Sequence, residues 1–339
     1  KFIFLEYFIL VDGYMWQAIL QILKEKVKEG VEVRLMVDGA MAFANLPDDF
    51  ERQMEGYGIN TRIFMPLKPI FSPYQNHRDH RKILIIDGEI AYTGGLNIAD
   101  EYINRKVRFG YWKDSAVKIQ GDAVDSFTLM FLEVWNILED GYLEEKYLRE
   151  EKSDLPRDGY VIPYDDSPYD YEDTGKEVYL DIIHQARKYI HVTTPYLIID
   201  YEMQSALSYA AKSGIDVKIV LPHIPDKPWV FYTSRTFYKE LIEAGVKIYE
   251  FVPGFLHAKT FVSDDIKAVV GTINMDYRSL YLHLECGAYF YQTDVSRQVE
   301  EDFQNILEDS KEITKEIYQD FPFHQRVIGR VMRLIAPLL

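Results

Sequence analysis

An eight-residue pattern that occurs twice decides how this chain folds. Residues 80–87 read HRKILIID and residues 257–264 read HAKTFVSD, so both follow H-x-K-x4-D. Each is followed at the same distance by a glycine-to-asparagine segment, GGLN at 94–97 and GTIN at 271–274. The histidine, lysine, aspartate, glycine and asparagine positions all recur 177 residues later. Because this period is far longer than that of a solenoid repeat, it indicates a duplicated domain.

The segments around the two motifs share a predicted order of strands and helices. In the first half, the strand patterns lie at residues 2–11, 31–37, 61–65 and 82–87, and a helical pattern that stops before Gly30 lies at 15–29. In the second half, the strand patterns lie at residues 190–194, 217–221 and 246–251, and helical patterns that stop before Gly214 and Gly245 lie at 201–212 and 235–244. Alternating strands and helices predict the α/β class, with a sheet covered on both faces in each half.

An acidic segment rich in tyrosine and proline lies between the halves, at about residues 150–172. It lacks clean helix or strand periodicity, and its prolines are Pro156, Pro163 and Pro168. These features predict a linker. We therefore predict a first domain over residues 1–150 and a second over residues 151–339, which begins with the linker and ends in a basic amphipathic segment.

The net charge limits the kinds of molecule that the chain can attract. The chain has 339 residues and a net charge of −16, with 47% hydrophobic residues, as in soluble globular proteins. A strongly acidic protein repels polyanions, so we expect no nucleic-acid partner. Attraction to an anionic lipid must therefore come from local basic groups. The composition does not predict the oligomeric state.

The single cysteine and the first residues carry less information. Cys286 has no partner for an internal disulfide and is predicted to be a small buried apolar residue. The apolar stretch near the start is too short and too interrupted to span a bilayer. Because the chain starts at Lys1 rather than methionine, upstream signal or anchor segments stay an open possibility.

The repeated residues suit phosphodiester transfer without a metal or another cofactor. One neutral imidazole attacks phosphorus and forms a phosphohistidine, while the other, protonated, donates to the leaving alkoxide. His80 and His257 must therefore hold opposite protonation states. The predicted donors to the phosphate oxygens are Lys82, Lys259, Asn97 and Asn274. With no H-E-x-x-H pattern, no Walker-type loop and one cysteine, the sequence predicts no metal site.

Carboxylates near the motifs have two predicted roles. Asp87 and Asp264 complete the catalytic motifs, but at the ends of strands they are expected to bind backbone donors or a cation rather than to take part in the chemistry. Asp114 and Glu285 are candidates to orient the imidazoles through the other ring nitrogen. They follow the histidine of their own half by 34 and 28 residues, which predicts unequal half-sites.

Further stretches resemble the phospholipase D superfamily and, within it, the bacterial cardiolipin synthases. Besides the motifs, these stretches are LEYFI at 5–9, AYTGGLNI at 91–98, GYWKD at 110–114, TPYL at 194–197 and NMDYRS at 274–279. The resemblance runs from about residue 4 to the C-terminus. It implies two tandem α/β/α sandwich domains related by a pseudo-two-fold axis, with the active site at their interface.

The resemblance also implies an activity. One phosphatidylglycerol is attacked by a histidine, which releases glycerol, and a second phosphatidylglycerol takes up the phosphatidyl group to form cardiolipin. The nucleophile would be His80 and the general acid and base His257, with orienting roles for Asp114 and Glu285. Such proteins act at the cytoplasmic membrane, and they typically carry two N-terminal membrane helices that are not visible here. Asp79 stands where asparagine is expected.

The sequence leaves alternative functions open. The same site would serve a phospholipase D-type phosphodiesterase with water as acceptor, and a non-catalytic lipid-binding relative is a second alternative. His77 and His283 are interpreted as bystanders.

The segment at residues 325–339 is basic and apolar, with Arg326, Arg330 and Arg333 on one predicted helix face. It is interpreted either as an interfacial helix on an anionic membrane surface or as a helix docked on its own domain.

Overall fold

The computed structural model describes residues 1–67, 73–139, 145–149, 153–155 and 158–336. Its strands are β1 (Phe2–Tyr7), β2 (Glu32–Asp38), β3 (Asn60–Phe64), β4 (Lys82–Ile86), β5 (Ile90–Gly94), β6 (Tyr111–Lys113), β7 (Ala116–Gln120), β8 (Tyr160–Asp166), β9 (Tyr189–Thr193), β10 (Leu197–Ile198), β11 (Asp216–Pro222), β12 (Lys247–Phe251), β13 (Gly254–Leu256), β14 (Thr260–Ser263), β15 (Lys267–Gly271), β16 (Met275–Asp276), β17 (Glu285–Tyr291) and β18 (Ser310–Glu312). Its α-helices are α1 (Tyr14–Lys28), α2 (Gly39–Asn45), α3 (Phe50–Gly56), α4 (Val124–Glu139), α5 (Thr174–Gln185), α6 (Tyr201–Lys212), α7 (Pro228–Ala244), α8 (Tyr277–Tyr281), α9 (Asp294–Glu308), α10 (Lys315–Gln319) and α11 (Phe323–Arg333).

The first sheet has the strand order β3-β2-β1-β4-β5-β7. Strands β1, β2 and β3 are parallel, and β4, β5 and β7 are each antiparallel to their neighbours. Side chains alternate between the two faces, as they must in a pleated strand. Leu5 and Leu35 therefore pack in the cluster that contains α1 and α3, whereas Phe4 and Ile85 pack with α4 on the opposite face.

The second sheet repeats this arrangement and adds one strand at each edge. Its order is β18-β12-β11-β9-β14-β15-β17-β8, with β9, β11 and β12 parallel and β14, β15 and β17 antiparallel. The motif strand β14 therefore holds the position that β4 holds in the first sheet. The predicted α/β class, with two similar halves, is confirmed.

One hydrophobic cluster joins the halves. It contains Phe4 and Ile85 of the first sheet, Phe131 of α4, and Val262 and Cys286 of the second sheet. Cys286 is fully buried, as predicted, and burial raises the pKa of its thiol to about 12. Because both sheets contribute to one apolar core, the segments at the start of β4 and β14 are held against the opposite half.

The predicted linker is wrong in part. Its residues Tyr160–Asp166 form β8, an edge strand antiparallel to β17, in which Pro163 lies opposite Ala288. An edge strand tolerates proline because no further strand needs its N–H, so proline there did not signal a loop. The predicted domain boundary between residues 150 and 151, and Pro156, fall outside the described residues.

The C-terminal helix α11 docks on α7 of its own half. A Cβ added at Gly329 would lie 2.2 Å from the carbonyl oxygen of Tyr232, so the two helices approach closely. The Arg333 guanidinium lies 3.2 Å from Glu240 of α7 and thus contacts the protein. Residues 337–339 of the predicted segment lie outside the described residues. Within the described ranges, no helix combines the length and the apolar character needed to cross a bilayer.

Candidate active site

Both motif histidines lie just before a strand, at points where the halves exchange backbone hydrogen bonds. The N–H of His80 donates to the carbonyl of Leu284 at 2.9 Å. In the same way, the N–H of His257 donates to the carbonyl of Lys113 at 2.7 Å, where β13 runs parallel to β6. Each histidine is thereby held beside a residue that immediately precedes a predicted orienting carboxylate of the other half.

The orienting carboxylates pair across the interface. His80 Nδ1 lies 2.8 Å from Glu285 Oε1, and His257 Nδ1 lies 2.7 Å from Asp114 Oδ2. All four side chains are more than nine-tenths buried. Each carboxylate follows the histidine of its own half along the chain, yet in the structure it pairs with the histidine of the other half. Docking of the two sheets, rather than closeness along the chain, decides which carboxylate each imidazole meets.

These pairs set the protonation of the imidazoles. A carboxylate that accepts the Nδ1–H leaves a lone pair on Nε2 for attack or proton transfer. Burial lowers the pKa of His257 to about 4 and lowers that of His80 well below its usual range. Burial opposes ionisation of Glu285 and Asp114 too, yet the adjoining imidazoles hold the pKa of both carboxyl groups below their usual values. Both pairs are therefore a neutral imidazole and an ionised carboxylate near pH 7.

The two motif lysines lie beside the histidines. Nζ of Lys82 donates to the backbone carbonyl of His80, and Nζ of Lys259 donates to that of His257. Burial lowers the pKa of Lys82 to about 8 and that of Lys259 to about 7. Donors fixed in a water-poor site stabilise developing negative charge better than donors in water do. The interface thus offers what a single phosphodiester group needs.

The two motif asparagines differ in their contacts. Asn97 accepts from the N–H of Ile9 at 2.9 Å and donates to the hydroxyl of Tyr102 at 2.8 Å, so its amide is held by the first half. Asn274 is buried, and its Oδ1 has no hydrogen-bond partner among the described residues. Their contact with phosphate stays a prediction.

Asp87 and Asp264 bind backbone N–H groups at the far ends of the motif strands. Asp87 accepts from the N–H of Phe2 at 2.9 Å. Asp264 accepts from the N–H groups of Arg187, Lys188 and Tyr189 at 2.7, 2.8 and 3.0 Å. Both aspartates have φ near +60°, in the left-handed region that aspartate tolerates in turns. This geometry agrees with the structural role expected for them and gives neither a part in the chemistry.

A glycine and a threonine at equivalent positions make the half-sites unequal. A Cβ at Gly95 would lie 2.0 Å from Asp114 Oδ1, so only glycine lets that carboxylate reach His257. At the position 177 residues later, the hydroxyl of Thr272 donates to Glu285 at 2.5 Å. Thr272 was not predicted as a site residue, although the constant spacing from Gly95 marks its position.

A second difference lies two residues before each carboxylate. In the first half this residue is Trp112, whose indole N–H donates to Asp114 at 3.3 Å. In the second half it is His283, whose ring centroid lies 5.5 Å from that of His80. His283 therefore borders the His80–Glu285 pair, and its interpretation as a bystander stays a prediction.

Asp79 is held within the first half. It is 2% exposed, and its carboxylate lies 3.3 Å from Nε of Arg81. The same guanidinium lies 2.6 Å from Glu6, which is also buried. Asp79 thus belongs to a buried ionic cluster behind the site and does not face solvent.

Sequence comparisons with known proteins cover most or all of the chain. A family model described as "Cardiolipin synthase, PLD-like domain" matches residues 3–133 and 179–307. An uncharacterized protein of Streptococcus mutans serotype c is 52% identical, over 100% of this chain and 74% of that protein. Cardiolipin synthase 2 of Bacillus anthracis is 40% identical, over 99% of this chain and 66% of that protein. The chain thus spans about two thirds to three quarters of the length of these relatives.

Solved structures share the fold at lower identity. The crystal structure of phosphatidylserine synthase from Haemophilus influenzae Rd KW20 matches with a TM-score of 0.77 and 17% identity, over 100% of this chain and 90% of that chain. Polyphosphate kinase from Porphyromonas gingivalis matches with a TM-score of 0.59 and 15% identity, over 100% of this chain and 49% of that chain. At such identities the likeness concerns the fold alone.

Proposed function

The chain belongs to the family of phospholipase D-like cardiolipin synthases, which are phosphatidyltransferases, and from this premise we propose that it forms cardiolipin from two molecules of phosphatidylglycerol. The observation that carries the proposal is the pair of buried histidines, each bound to a carboxylate of the other half. A two-step transfer requires one group that holds the phosphatidyl moiety and another that moves the proton.

In the first step, Nε2 of His80 attacks the phosphorus of phosphatidylglycerol. The N–P bond forms, the bond from phosphorus to the glycerol oxygen breaks, and His257 in its protonated form gives that oxygen a proton. Glycerol leaves, and the phosphatidyl group stays on His80. Lys82 and Lys259, with Asn97 and Asn274, donate to the phosphate oxygens as their charge grows.

In the second step, the free glycerol hydroxyl of another phosphatidylglycerol attacks the same phosphorus. The now neutral His257 takes the hydroxyl proton, the new O–P bond forms, and the N–P bond to His80 breaks. Cardiolipin leaves, and both imidazoles return to their starting states. Water would give phosphatidic acid at this point, and the small exposure of both histidines, 7% each, disfavours it.

One imidazole takes up the proton for the first step from solvent when the substrate binds. Both imidazoles are neutral in the free protein near pH 7, because burial lowers the pKa of each. An anionic phosphodiester between them favours the protonated form of one ring and thus raises its pKa. The unequal surroundings of the two carboxylates, with Thr272 on Glu285 and Trp112 on Asp114, decide which ring takes the proton.

The test of this function is the identity of the products. We expect the purified protein with phosphatidylglycerol vesicles to release cardiolipin and glycerol in equal amounts, measured by lipid mass spectrometry and a glycerol assay. Vesicles without protein are the control. Exclusive formation of phosphatidic acid would instead support a phospholipase D-type phosphodiesterase with water as acceptor.

We further propose that the protein works at the cytoplasmic membrane, with the outer side of α11 resting on anionic lipid. Phe323 and Val331 of this docked helix and Leu334 directly after it are 75%, 57% and 83% exposed. Arg330 is exposed beside them. Apolar side chains with an interspersed arginine fit the interface of an anionic membrane.

Replacing both Val331 and Leu334 by aspartate is expected to weaken binding to phosphatidylglycerol vesicles by about tenfold or more, since two apolar side chains no longer insert. Vesicle flotation measures this effect. Ile137→Asp, at a position 75% exposed on α4, is the matched control and should bind as the parent protein does. Undiminished binding of the double variant would count against a lipid-facing α11.

A further inference from the structure

A third histidine, His283, adds a potential metal-ligating side chain to the His80–Glu285 pair. His80, His283 and Glu285 each offer one metal-ligating atom, and these atoms lie within 4.8 Å of one another. Nδ1 of His283 is 3.8 Å from Glu285 Oε1, too far for a hydrogen bond. No other such group of three occurs in the part of the chain that the structure describes.

His283 is an unsatisfied group at this position. Its side chain is only 10% exposed, yet neither ring nitrogen has a hydrogen-bond partner among the described residues. A buried polar atom without a partner costs free energy, so native proteins rarely leave both nitrogens of one ring in this state. The equivalent Trp112 is satisfied by its bond to Asp114, so the two half-sites differ on this point.

We propose that His80, His283 and Glu285 bind a transition-metal ion of the Zn²⁺ class and that the bound ion inhibits the enzyme. Two imidazoles and a carboxylate are a donor set that zinc takes readily, with water in the fourth position. In a tetrahedral site the ligand atoms stand roughly 3.3–3.4 Å apart, which follows from metal–ligand distances of about 2.0–2.1 Å. The three ligand atoms now lie within 4.8 Å of one another, and a small shift of the His283 side chain brings them to the distances of a tetrahedral site. Mg²⁺ and Ca²⁺ prefer oxygen donors and do not suit it.

The inhibition follows from where the imidazole proton lies. In the free protein Glu285 accepts the Nδ1–H of His80, and Nε2 carries the lone pair. An ion on Nδ1 displaces that proton to solvent, and the neutral ring takes up a proton on Nε2 instead. Nε2 then has no lone pair with which to attack phosphorus. This inhibition rests on the proposed function, whereas the metal binding does not.

Binding is tested on the purified chain without lipid, with Co²⁺ as a spectroscopic probe of the site. We expect one Co²⁺ per chain to give the visible absorption of a four-coordinate site and Zn²⁺ to displace it. His283→Asn, with His283→Gln as a second variant, should lower the affinity by about tenfold or more. The control is His184→Asn, at an exposed position on α5, which should bind as the parent does. Unchanged affinity in both His283 variants would overturn the proposal.

Inhibition is tested by cardiolipin formation on phosphatidylglycerol vesicles with ZnCl₂, and with MgCl₂ as the control for cations that bind lipid. Zn²⁺ should inhibit the parent and His184→Asn, and EDTA should reverse the effect. The His283 variants should need about tenfold or more Zn²⁺ for equal inhibition. Equal sensitivity of parent and variants, or binding without inhibition, would refute the proposal. If none of the proteins forms cardiolipin, the proposed function fails, and the Co²⁺ titration still decides the metal site.

Discussion

Replacement of His80 or His257 by glutamine is expected to stop phosphatidyl transfer, with kcat/KM lowered by about 10⁴-fold or more. Glutamine keeps much of the volume and polarity of histidine but can neither form the phosphoramidate bond nor exchange a proton near pH 7. The two losses should not add, because both residues serve the same reaction cycle. Initial rates of cardiolipin formation for the single and double variants measure this.

The same variants decide the order of the two histidines. His257→Gln lacks the general acid of the first step and the general base of the second. With phosphatidyl-p-nitrophenol, whose leaving group needs no proton, the first step should still proceed, and the phosphatidyl group should remain on His80, where peptide mass spectrometry locates it. The matched control is His191→Gln, because His191 is equally buried and pairs with Glu300 at 2.8 Å away from the site. Near-parental activity in either motif variant would refute the mechanism. Label found on His257 in His80→Gln would reverse the two assignments.

Glu285→Gln and Asp114→Asn are each expected to lower kcat/KM by about 10²–10⁴-fold. The amide is isosteric with the carboxylate, but it cannot hold the Nδ1–H tautomer or stabilise an imidazolium. Each loss should therefore appear mainly in kcat, with little change in KM or in thermal stability. Initial rates over a range of phosphatidylglycerol concentrations separate the two constants.

NMR of the histidine side chains tests the crossed pairing directly. In the parent protein, the Nδ1–H protons of His80 and His257 should give downfield signals typical of hydrogen bonds to carboxylates. Glu285→Gln should shift the signal of His80 and leave that of His257 in place, and Asp114→Asn should do the reverse. If each substitution instead disturbed the histidine of its own half, the pairing across the interface would be wrong.

Much of the fold was predictable because its signals are local. The helix predicted at residues 201–212 coincides with α6 (Tyr201–Lys212), and the strand predicted at 217–221 lies within β11 (Asp216–Pro222). Strand alternation and glycine stops act over a few residues, so they can be read without the rest of the chain. The prediction failed where one residue type is compatible with two structures. Proline occurs both in loops and in edge strands, and Pro163 lies in an edge strand.

The sequence by itself determined that the chain is duplicated and that it is α/β, and it predicted His80 and His257 with their lysines as the chemical centre of each half. A constant spacing of 177 residues between functional side chains carries that information without any structure. Only the tertiary structure decided that Glu285 serves His80 and Asp114 serves His257, and that His283 borders the first pair. These contacts form because the two sheets bury a common core. No local sequence pattern in one half shows which loops of the other half will lie against its histidine.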